Sequence, residues 1–201
     1  MKLYFYPRTR AMRPRWMFEE LGVPYETSNV DLMKGEQKLP DYMKDVHPLG
    51  RVPALEDKGF MMFESAAIVM HLADKYPEKG LTPAVGTNER AEYYQWILCA
   101  MTEAEPPLVT MLMHTMFLPE DKRSPAVFED AAKRFKPVAD VIQARMKDRQ
   151  YILGDKFTAA DVVMGGVLAF AGFLKQLEGH PTLQEYLKRL MERPAAKKVF
   201  G

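Results

Sequence analysis

The stretch "GRVPALEDKGFMMFESAAI", residues 50–68, contains the features that decide the fold. Two apolar runs flank "DKG" at 57–59, a combination that predicts a tight β-hairpin. Pro53 stands where the first strand should begin, although proline has no N–H to give to a strand ladder. After the second strand, Glu64 and Ser65 stand where a helix should begin, with Ser65 suited to the N-cap position. The segment therefore predicts a hairpin followed by a helix.

Two further strands and two further helices are predicted before this hairpin. Strand-like runs at 2–6 and 25–30 enclose a helical pattern at 11–21, which is followed by Gly22, a residue suited to a helix end. A short helix is predicted at 39–45. A helical crossover joins parallel strands and a hairpin joins antiparallel ones. The order β-α-β-α-β-β-α therefore predicts a mixed four-stranded sheet, which is the thioredoxin plan.

The chain changes character after the helix that follows the hairpin. Residues 79–88 are rich in Pro, Gly, Thr and Asn, which is typical of a linker, and only helical patterns come after them. The sequence therefore predicts an α+β fold class. A thioredoxin-like domain at 1–78 is followed by an all-α domain at 89–201.

Three signals divide the helical domain into its helices. The Pro-Pro pair at 106–107 predicts a bend in the first long helical run, because an interior proline costs roughly 3 kcal/mol. Thr158 and Asp161 have the spacing of a capping box, and so do Thr182 and Glu185. Each of these two pairs predicts the start of a helix.

Composition narrows the range of functions. A formal net charge of +1 gives no electrostatic footprint for nucleic acid. The single cysteine, Cys99, excludes an intramolecular disulfide and favours a reducing compartment, so we expect a cytoplasmic protein. No segment has the apolar length of a membrane span, and the N-terminus lacks a signal-peptide pattern, so we expect no membrane partner. The four histidines lack metal-ligand spacing, so we expect no metal.

Two residue pairs, Val52–Pro53 before the hairpin and Glu64–Ser65 after it, suggest peptide recognition. In the thioredoxin plan a proline that opens the third strand is often cis, and we expect a cis Val52–Pro53 bond. The Val52 backbone would then face outward, where its N–H and C=O can pair with an extended peptide. The helix beginning at Ser65 offers unpaired N–H groups and partial positive charge to a carboxylate. Glu64 beside it suits an ammonium group, so together these residues predict recognition of an amino-acid end.

The order and spacing of several short stretches carry a family resemblance. They include "YFYPRTRAMRPRWMFEELGVPYE", "DLMKGEQKLPDY", "GRVPALED", "FESAAIVMHLADKY", "GDKFTAADV" and "HPTLQEYLKRLMERPA". Over essentially its whole length the chain resembles the cytosolic glutathione transferases, especially bacterial theta-, phi- and nu-like members. The resemblance implies a glutathione-binding thioredoxin-like domain, a helical domain that forms most of the electrophile pocket and the dimer contacts, and a homodimer. It also implies that Thr158 and Asp161 serve folding.

The resemblance implies which residues hold glutathione, the co-substrate. Glu64 and Ser65 match the pair that holds the γ-glutamyl end, and Val52 matches the residue that pairs with the cysteinyl backbone. The "GEQK" loop matches the one that holds the glycine carboxylate, through Gln37 and Lys38.

Several cations surround these positions. Arg51 could add a second cationic contact beside Lys38, because the tripeptide carries two carboxylates. Four arginines cluster around the first helical turn, either as a solvated helix face or as a contribution to the field at the thiolate: Arg8, Arg10, Arg13 and Arg15.

The catalytic position follows the first strand. The family needs a donor there that stabilises the glutathione thiolate, and in theta- and phi-like members this donor is a serine. The matching residue in "YPRTRA" is Thr9, and the adjacent Arg10 could serve instead through its guanidinium. Backbone N–H groups are a third possibility. No cysteine occupies this region, which argues against thiol–disulfide chemistry.

Three functions fit these residues. The first is glutathione conjugation to a hydrophobic electrophile in detoxification, with peroxidase activity toward organic hydroperoxides as an extension. The second is a catalytically weak binding or scaffold protein of the same fold, because threonine in place of serine weakens the catalytic match. The third is dehalogenation or isomerisation by the same thiolate.

Overall fold

The computed structural model describes all 201 residues, which divide into two compact units. Residues 1–82 and 192–201 form the first unit, and residues 83–191 form the second. The sequence analysis placed the last ten residues in the helical domain, whereas the structure places them in the first unit.

The first unit is built on a mixed sheet of four strands, as the sequence predicts. Its order is β2-β1-β3-β4, with β1 parallel to β2 and antiparallel to β3, and β3 antiparallel to β4. The strands are β1 (Lys2–Phe5), β2 (Glu26–Asn29), β3 (Ala54–Asp57) and β4 (Phe60–Phe63).

Helices follow the strands in the predicted order β-α-β-α-β-β-α. Gly22 ends the first helix in the left-handed conformation at φ 66°, as its position in the sequence indicates. A short 3-10 turn, Glu36–Lys38, precedes the second helix. The helices of this unit are α1 (Met12–Leu21), α2 (Pro40–Asp45), α3 (Ser65–Lys75) and, at the C-terminus, α9 (Pro194–Phe200).

The C-terminal helix α9 packs on α1, which explains why the first unit includes the end of the chain. Arg193 donates from Nε and Nη2 to the two carboxylate oxygens of Glu20, each at 2.7 Å. The ring of Phe200 meets the fully buried indole of Trp16 edge-on, with 5.6 Å between ring centroids. A bidentate ion pair and an aromatic contact therefore fix α9, and no strand or loop signal in the sequence announces them.

The second unit is all-helical. Its helices are α4 (Asn88–Cys99), α5 (Glu105–Leu112), α6 (Pro125–Met146), α7 (Ala159–Phe173) and α8 (Pro181–Met191). As the sequence predicts, the chain is helical without interruption over residues 88–117, where π-helical turns at Ala100–Ala104 and Met113–Phe117 flank α5. The bend expected at the Pro-Pro pair stays a prediction. The pair lies directly after the first π-helical turn, and such turns are one way in which a helix departs from regular α-helical hydrogen bonding. No helix of the structure has the length and apolar character needed to cross a membrane.

The α7 helix begins with the predicted capping box. The buried carboxylate of Asp161 accepts the Thr158 N–H at 2.8 Å and the Thr158 hydroxyl at 3.1 Å. The second predicted capping box is not at a helix start, because α8 begins at Pro181 and Thr182 already lies inside it. Proline is favoured at the first helical position, and this preference outweighs the Thr182 signal.

Candidate active site

The N-terminus of α3 is the centre of the site predicted from sequence. Glu64 is the N-cap residue, at φ 72° and ψ 110°, and its side chain forms no capping hydrogen bond. Ser65 is the first helical residue, so its predicted role as N-cap is wrong. The side chain of Glu64 is exposed, whereas Ser65 is only 2% exposed. A non-glycine residue at positive φ is uncommon and costly, and such residues cluster at binding sites.

A buried cation contacts Ser65. The guanidinium of Arg13, which is 3% exposed, donates from Nη1 to Ser65 Oγ at 3.2 Å. Of the four clustered arginines, Arg8 and Arg10 are exposed, and Arg15 lies partly buried over the ring of Phe5. The cluster is therefore not one solvated face, because Arg13 is directed inward to the start of α3.

Strand pairing brings the two halves of the predicted peptide site together. Ala54 lies opposite Phe63 in the β3–β4 register. The chain just before β3 and the chain just after β4 therefore emerge at the same end of the hairpin. Val52 is at the first of these positions and Glu64 is at the second. The Val52–Pro53 bond is cis, as expected.

The loop predicted for the glycine carboxylate packs against the turn that precedes β3. Gly50 has φ 58°, and a Cβ on it would lie 2.6 Å from the Gln37 carbonyl oxygen and 3.0 Å from Lys38 Cδ. Lys38 is exposed and donates from Nζ to the Leu49 carbonyl at 3.0 Å. The side-chain oxygen Oε1 of Gln37 is buried and has no hydrogen-bond partner. The backbone at position 50 can approach Gln37 and Lys38 this closely only because the residue there is glycine.

Arg51 follows directly and is exposed, which completes the group of residues at this end of the hairpin. Its carbonyl accepts a hydrogen bond from the Tyr42 hydroxyl at 2.8 Å, so its backbone is fixed to α2. The structure therefore brings Gln37, Lys38 and Arg51 to the end of the sheet where Val52 lies.

His47 lies among these residues, although the sequence analysis considered it only as a metal ligand. Its ring is buried, lies 4.8 Å from the Phe63 ring and accepts the Leu49 N–H on Nδ1 at 3.2 Å. Burial lowers the pKa of His47, the charge of Glu64 raises it, and the charges of Arg51 and Lys38 lower it. The available sequence signal was the proline and glycine of "HPLG", which predict a turn that begins at His47.

The predicted catalytic residue Thr9 has a hydroxyl that is already engaged. Its Oγ1 donates to the Tyr6 carbonyl at 2.7 Å and accepts the Ala11 N–H at 3.2 Å. A hydroxyl has one proton, so while the bond to Tyr6 persists Thr9 has none to give to a sulfur atom. Arg10, the alternative donor, is exposed at the same turn, one residue before α1's N-cap.

Comparison with known proteins identifies the family. The protein-family model for the glutathione S-transferase N-terminal domain matches residues 1–74, and the family model for the C-terminal domain matches residues 125–189. The chain is 35% identical to glutathione S-transferase F10 of Arabidopsis thaliana over 71% of its length and 67% of the relative. It is 30% identical to glutathione S-transferase GstA of Escherichia coli O157:H7 over 100% of its length and 98% of the relative.

A solved structure agrees with the sequence relatives. The glutathione transferase URE2P6 of Phanerochaete chrysosporium, in complex with oxidized glutathione, has a TM-score of 0.90 and 30% identity, over 99% of this chain and 94% of that one. The chain belongs to the glutathione S-transferase family and is a glutathione transferase, with glutathione as its co-substrate. The structure contains no group of three or more His, Cys, Asp or Glu side chains that could hold a metal ion.

Proposed function

We propose that the chain joins the glutathione thiolate to an electrophilic carbon of a small hydrophobic molecule. The observation that carries this proposal is the start of α3, where buried Ser65 is bonded to buried Arg13 and the exposed Glu64 carboxylate lies alongside. These groups match the α-carboxylate and the ammonium of a γ-glutamyl end, because a helix N-terminus favours an anion and a carboxylate favours a cation.

The remaining contacts of glutathione would come from the other predicted residues. The backbone of Val52, at the same end of the hairpin as Glu64, would pair with the cysteinyl unit. The glycine carboxylate would lie near Gln37, Lys38 and Arg51, where two exposed cations supply charge.

The chemical step needs the thiolate. The thiol loses its proton to solvent, the thiolate sulfur attacks the electrophilic carbon, and a C–S bond forms as the leaving group departs with its electron pair. The turn that contains Thr9 and Arg10 precedes α1, and a helix N-terminus or a cation lowers the pKa of a thiol. The Thr9 hydroxyl and the Ala11 and Met12 N–H groups already form hydrogen bonds within this turn, which favours the exposed guanidinium of Arg10 as the donor to the sulfur.

The helical unit, residues 83–191, would supply the surface for the electrophile. Met113, Met116 and Phe117 are exposed apolar side chains in the second π-helical turn. Methionine adapts its shape to irregular apolar ligands, and π-helical turns are frequent at functional sites. In the peroxidase extension, the thiolate would attack the hydroperoxide oxygen and release the alcohol, and a second glutathione would then displace water from the sulfenic acid to give oxidised glutathione.

We also propose a cytoplasmic homodimer that acts in detoxification. Phe60 is 60% exposed and lies on β4, which is an edge strand of the sheet. A second copy of the chain could cover such an edge. Cys99 is half-buried and burial raises the pKa of its thiol, which fits an unreactive cysteine in a reducing compartment. Sedimentation equilibrium tests the dimer.

The second candidate is a catalytically weak binding or scaffold protein. It is favoured by one observation, the hydrogen bond from the Thr9 hydroxyl to the Tyr6 carbonyl. In this case the γ-glutamyl site would bind glutathione normally and only activation of the thiol would be impaired.

Two measurements on the same preparation separate the candidates. Retention on immobilised glutathione measures binding, and the chlorodinitrobenzene assay, extended to a panel of electrophiles and hydroperoxides, measures turnover. The proposed enzyme is retained and turns over at least one substrate. Retention without turnover on any member of the panel supports the scaffold, and absence of retention contradicts both.

A further inference from the structure

We propose that Arg13 is a positioning residue for the γ-glutamyl carboxylate of glutathione and acts through the hydroxyl of Ser65. The inference rests on the proposed function of the α3 N-terminus. Arg13 lies in the first turn of α1 and its guanidinium bonds Ser65 Oγ across 52 positions of the chain, with both side chains almost fully buried.

The direction of this hydrogen bond decides where the Ser65 proton points. Arginine has only donors, so Ser65 Oγ is the acceptor in the bond to Arg13. A serine hydroxyl has one proton, which must lie on the side of the oxygen that is not occupied by the guanidinium. The bond from Arg13 therefore restricts the hydroxyl rotation and leaves its proton for a second partner. A carboxylate at the start of α3 would accept this proton together with the first N–H groups of the helix.

The buried charge adds to this geometric effect. A guanidinium keeps its proton at every physiological pH, whereas a buried lysine readily loses its charge. In a low-dielectric surrounding its field extends further than it would in water. The helix dipole of α3 has the same sign at this end. Arg13, Ser65 and the α3 N-terminus thus favour a carboxylate, and the exposed carboxylate of the adjacent Glu64 would suit the ammonium of the same ligand.

The test compares two ligands that differ only in this carboxylate. The first is glutathione, and the second is 4-aminobutanoyl-cysteinyl-glycine, which lacks the γ-glutamyl α-carboxylate. Dissociation constants for both are measured by calorimetry on the full chain and on the Arg13→Met, Arg13→Lys and Ser65→Ala variants. For Arg13→Met we expect about a tenfold loss of affinity for glutathione and little change for the analogue, as for a lost bond to a charged group.

The double variant Arg13→Met/Ser65→Ala tests whether Arg13 acts through Ser65. Its loss should be smaller than the product of the two single losses, because residues that act through one contact are not additive. Equal loss for both ligands, or full additivity, would overturn the inference.

Arg13→Lys covers the case in which Arg13→Met does not fold. Lysine removes the planar fork and, at this buried position, readily loses its charge, so the affinity ratio between the two ligands should still fall. An unchanged ratio contradicts the inference. Failure of the parent chain to bind glutathione would instead contradict the proposed function.

Discussion

Two helices of this protein begin in opposite ways. The α7 N-terminus is closed by its own side chains, because Asp161 accepts hydrogen bonds from the Thr158 N–H, the Ile152 N–H and the Tyr186 hydroxyl. The α3 N-terminus has no side-chain cap, and a buried guanidinium contacts its first residue.

We propose that the difference separates a helix start that serves folding from one that serves binding. A helix N-terminus needs partners for its N–H groups, and either the protein or a ligand can supply them. At α7 the protein supplies them, and Asp161 is completely buried as a result. At α3 the nearby charges have the arrangement that a bound carboxylate requires. Under this proposal the two helix N-termini have different roles, and four experiments test the contrast and the site around it.

The largest expected effect is on stability, from Asp161→Asn. Oδ2 accepts both the N–H and the hydroxyl of Thr158, and an amide group in that place would leave these two donors unpaired. Each unpaired buried donor costs about 1–3 kcal/mol, so for two donors we expect a loss of roughly 2–6 kcal/mol. Urea unfolding measures it. Burial raises the pKa of Asp161 and its hydrogen bonds lower it. If Asp161→Asn left the free energy of unfolding unchanged, the cost of burying the charge would outweigh the benefit of these hydrogen bonds.

The second effect is on ligand affinity, from Glu64→Gln. The substitution removes the charge proposed to hold the glutathione ammonium and keeps the size of the side chain. We expect about tenfold weaker binding, because a hydrogen bond to a charged group is lost. Calorimetry with glutathione and with its N-acetyl derivative is the measurement, and the variant should lose affinity only for the free amine. Equal dissociation constants in parent and variant would remove Glu64 from the site.

A third experiment addresses the sulfur end of the site. Because the only hydroxyl proton of Thr9 is given to Tyr6, we expect Thr9→Val to raise the pKa of bound glutathione less than Arg10→Met does. Thiolate absorbance against pH gives both values, and Thr9→Ser serves as the matched control. A larger rise in Thr9→Val would show that the hydroxyl leaves Tyr6 when glutathione binds.

The smallest effect is on the pH dependence of stability, through His47. Burial lowers its pKa in the folded state, so below about pH 6.5 the unfolded chain binds more protons. The stability from neutral His47 is therefore complete above about pH 6.5 and is lost as the pH falls toward the folded-state pKa. His47→Asn keeps an acceptor for the Leu49 N–H and removes the titration. Between about pH 7.5 and pH 5 the free energy of unfolding should fall more in the parent than in His47→Asn. Equal falls in both proteins would contradict this.

The sequence predicted the order of elements well because these signals are local. Gly22, the "DKG" turn and the pair of Thr158 and Asp161 each act within a few residues, and the structure agrees at all three. The start of α8 was misjudged because two local signals compete there and Pro181 prevails.

The predicted site is less complete, because it depends on distant residues. No pattern in the sequence links Arg13 to Ser65, which lie 52 positions apart, or α9 to α1. Thr9 was chosen by its match to a family position, whereas its hydrogen bond to Tyr6 depends on the backbone geometry of the turn. Side-chain direction is a tertiary property that residue type does not determine.

One pair of variants tests the central claim, that the α3 N-terminus binds a carboxylate and the α7 N-terminus serves folding. Ser65→Ala and Thr158→Ala each remove one hydroxyl from a helix start, so each is the control for the other. Glutathione affinity and urea stability are measured on both. For Ser65→Ala we predict about tenfold weaker binding together with a stability loss of about 1–3 kcal/mol, because the buried Arg13 donor loses this acceptor. For Thr158→Ala we predict about 1 kcal/mol lower stability with unchanged binding. Loss of stability without loss of affinity in Ser65→Ala would contradict the account.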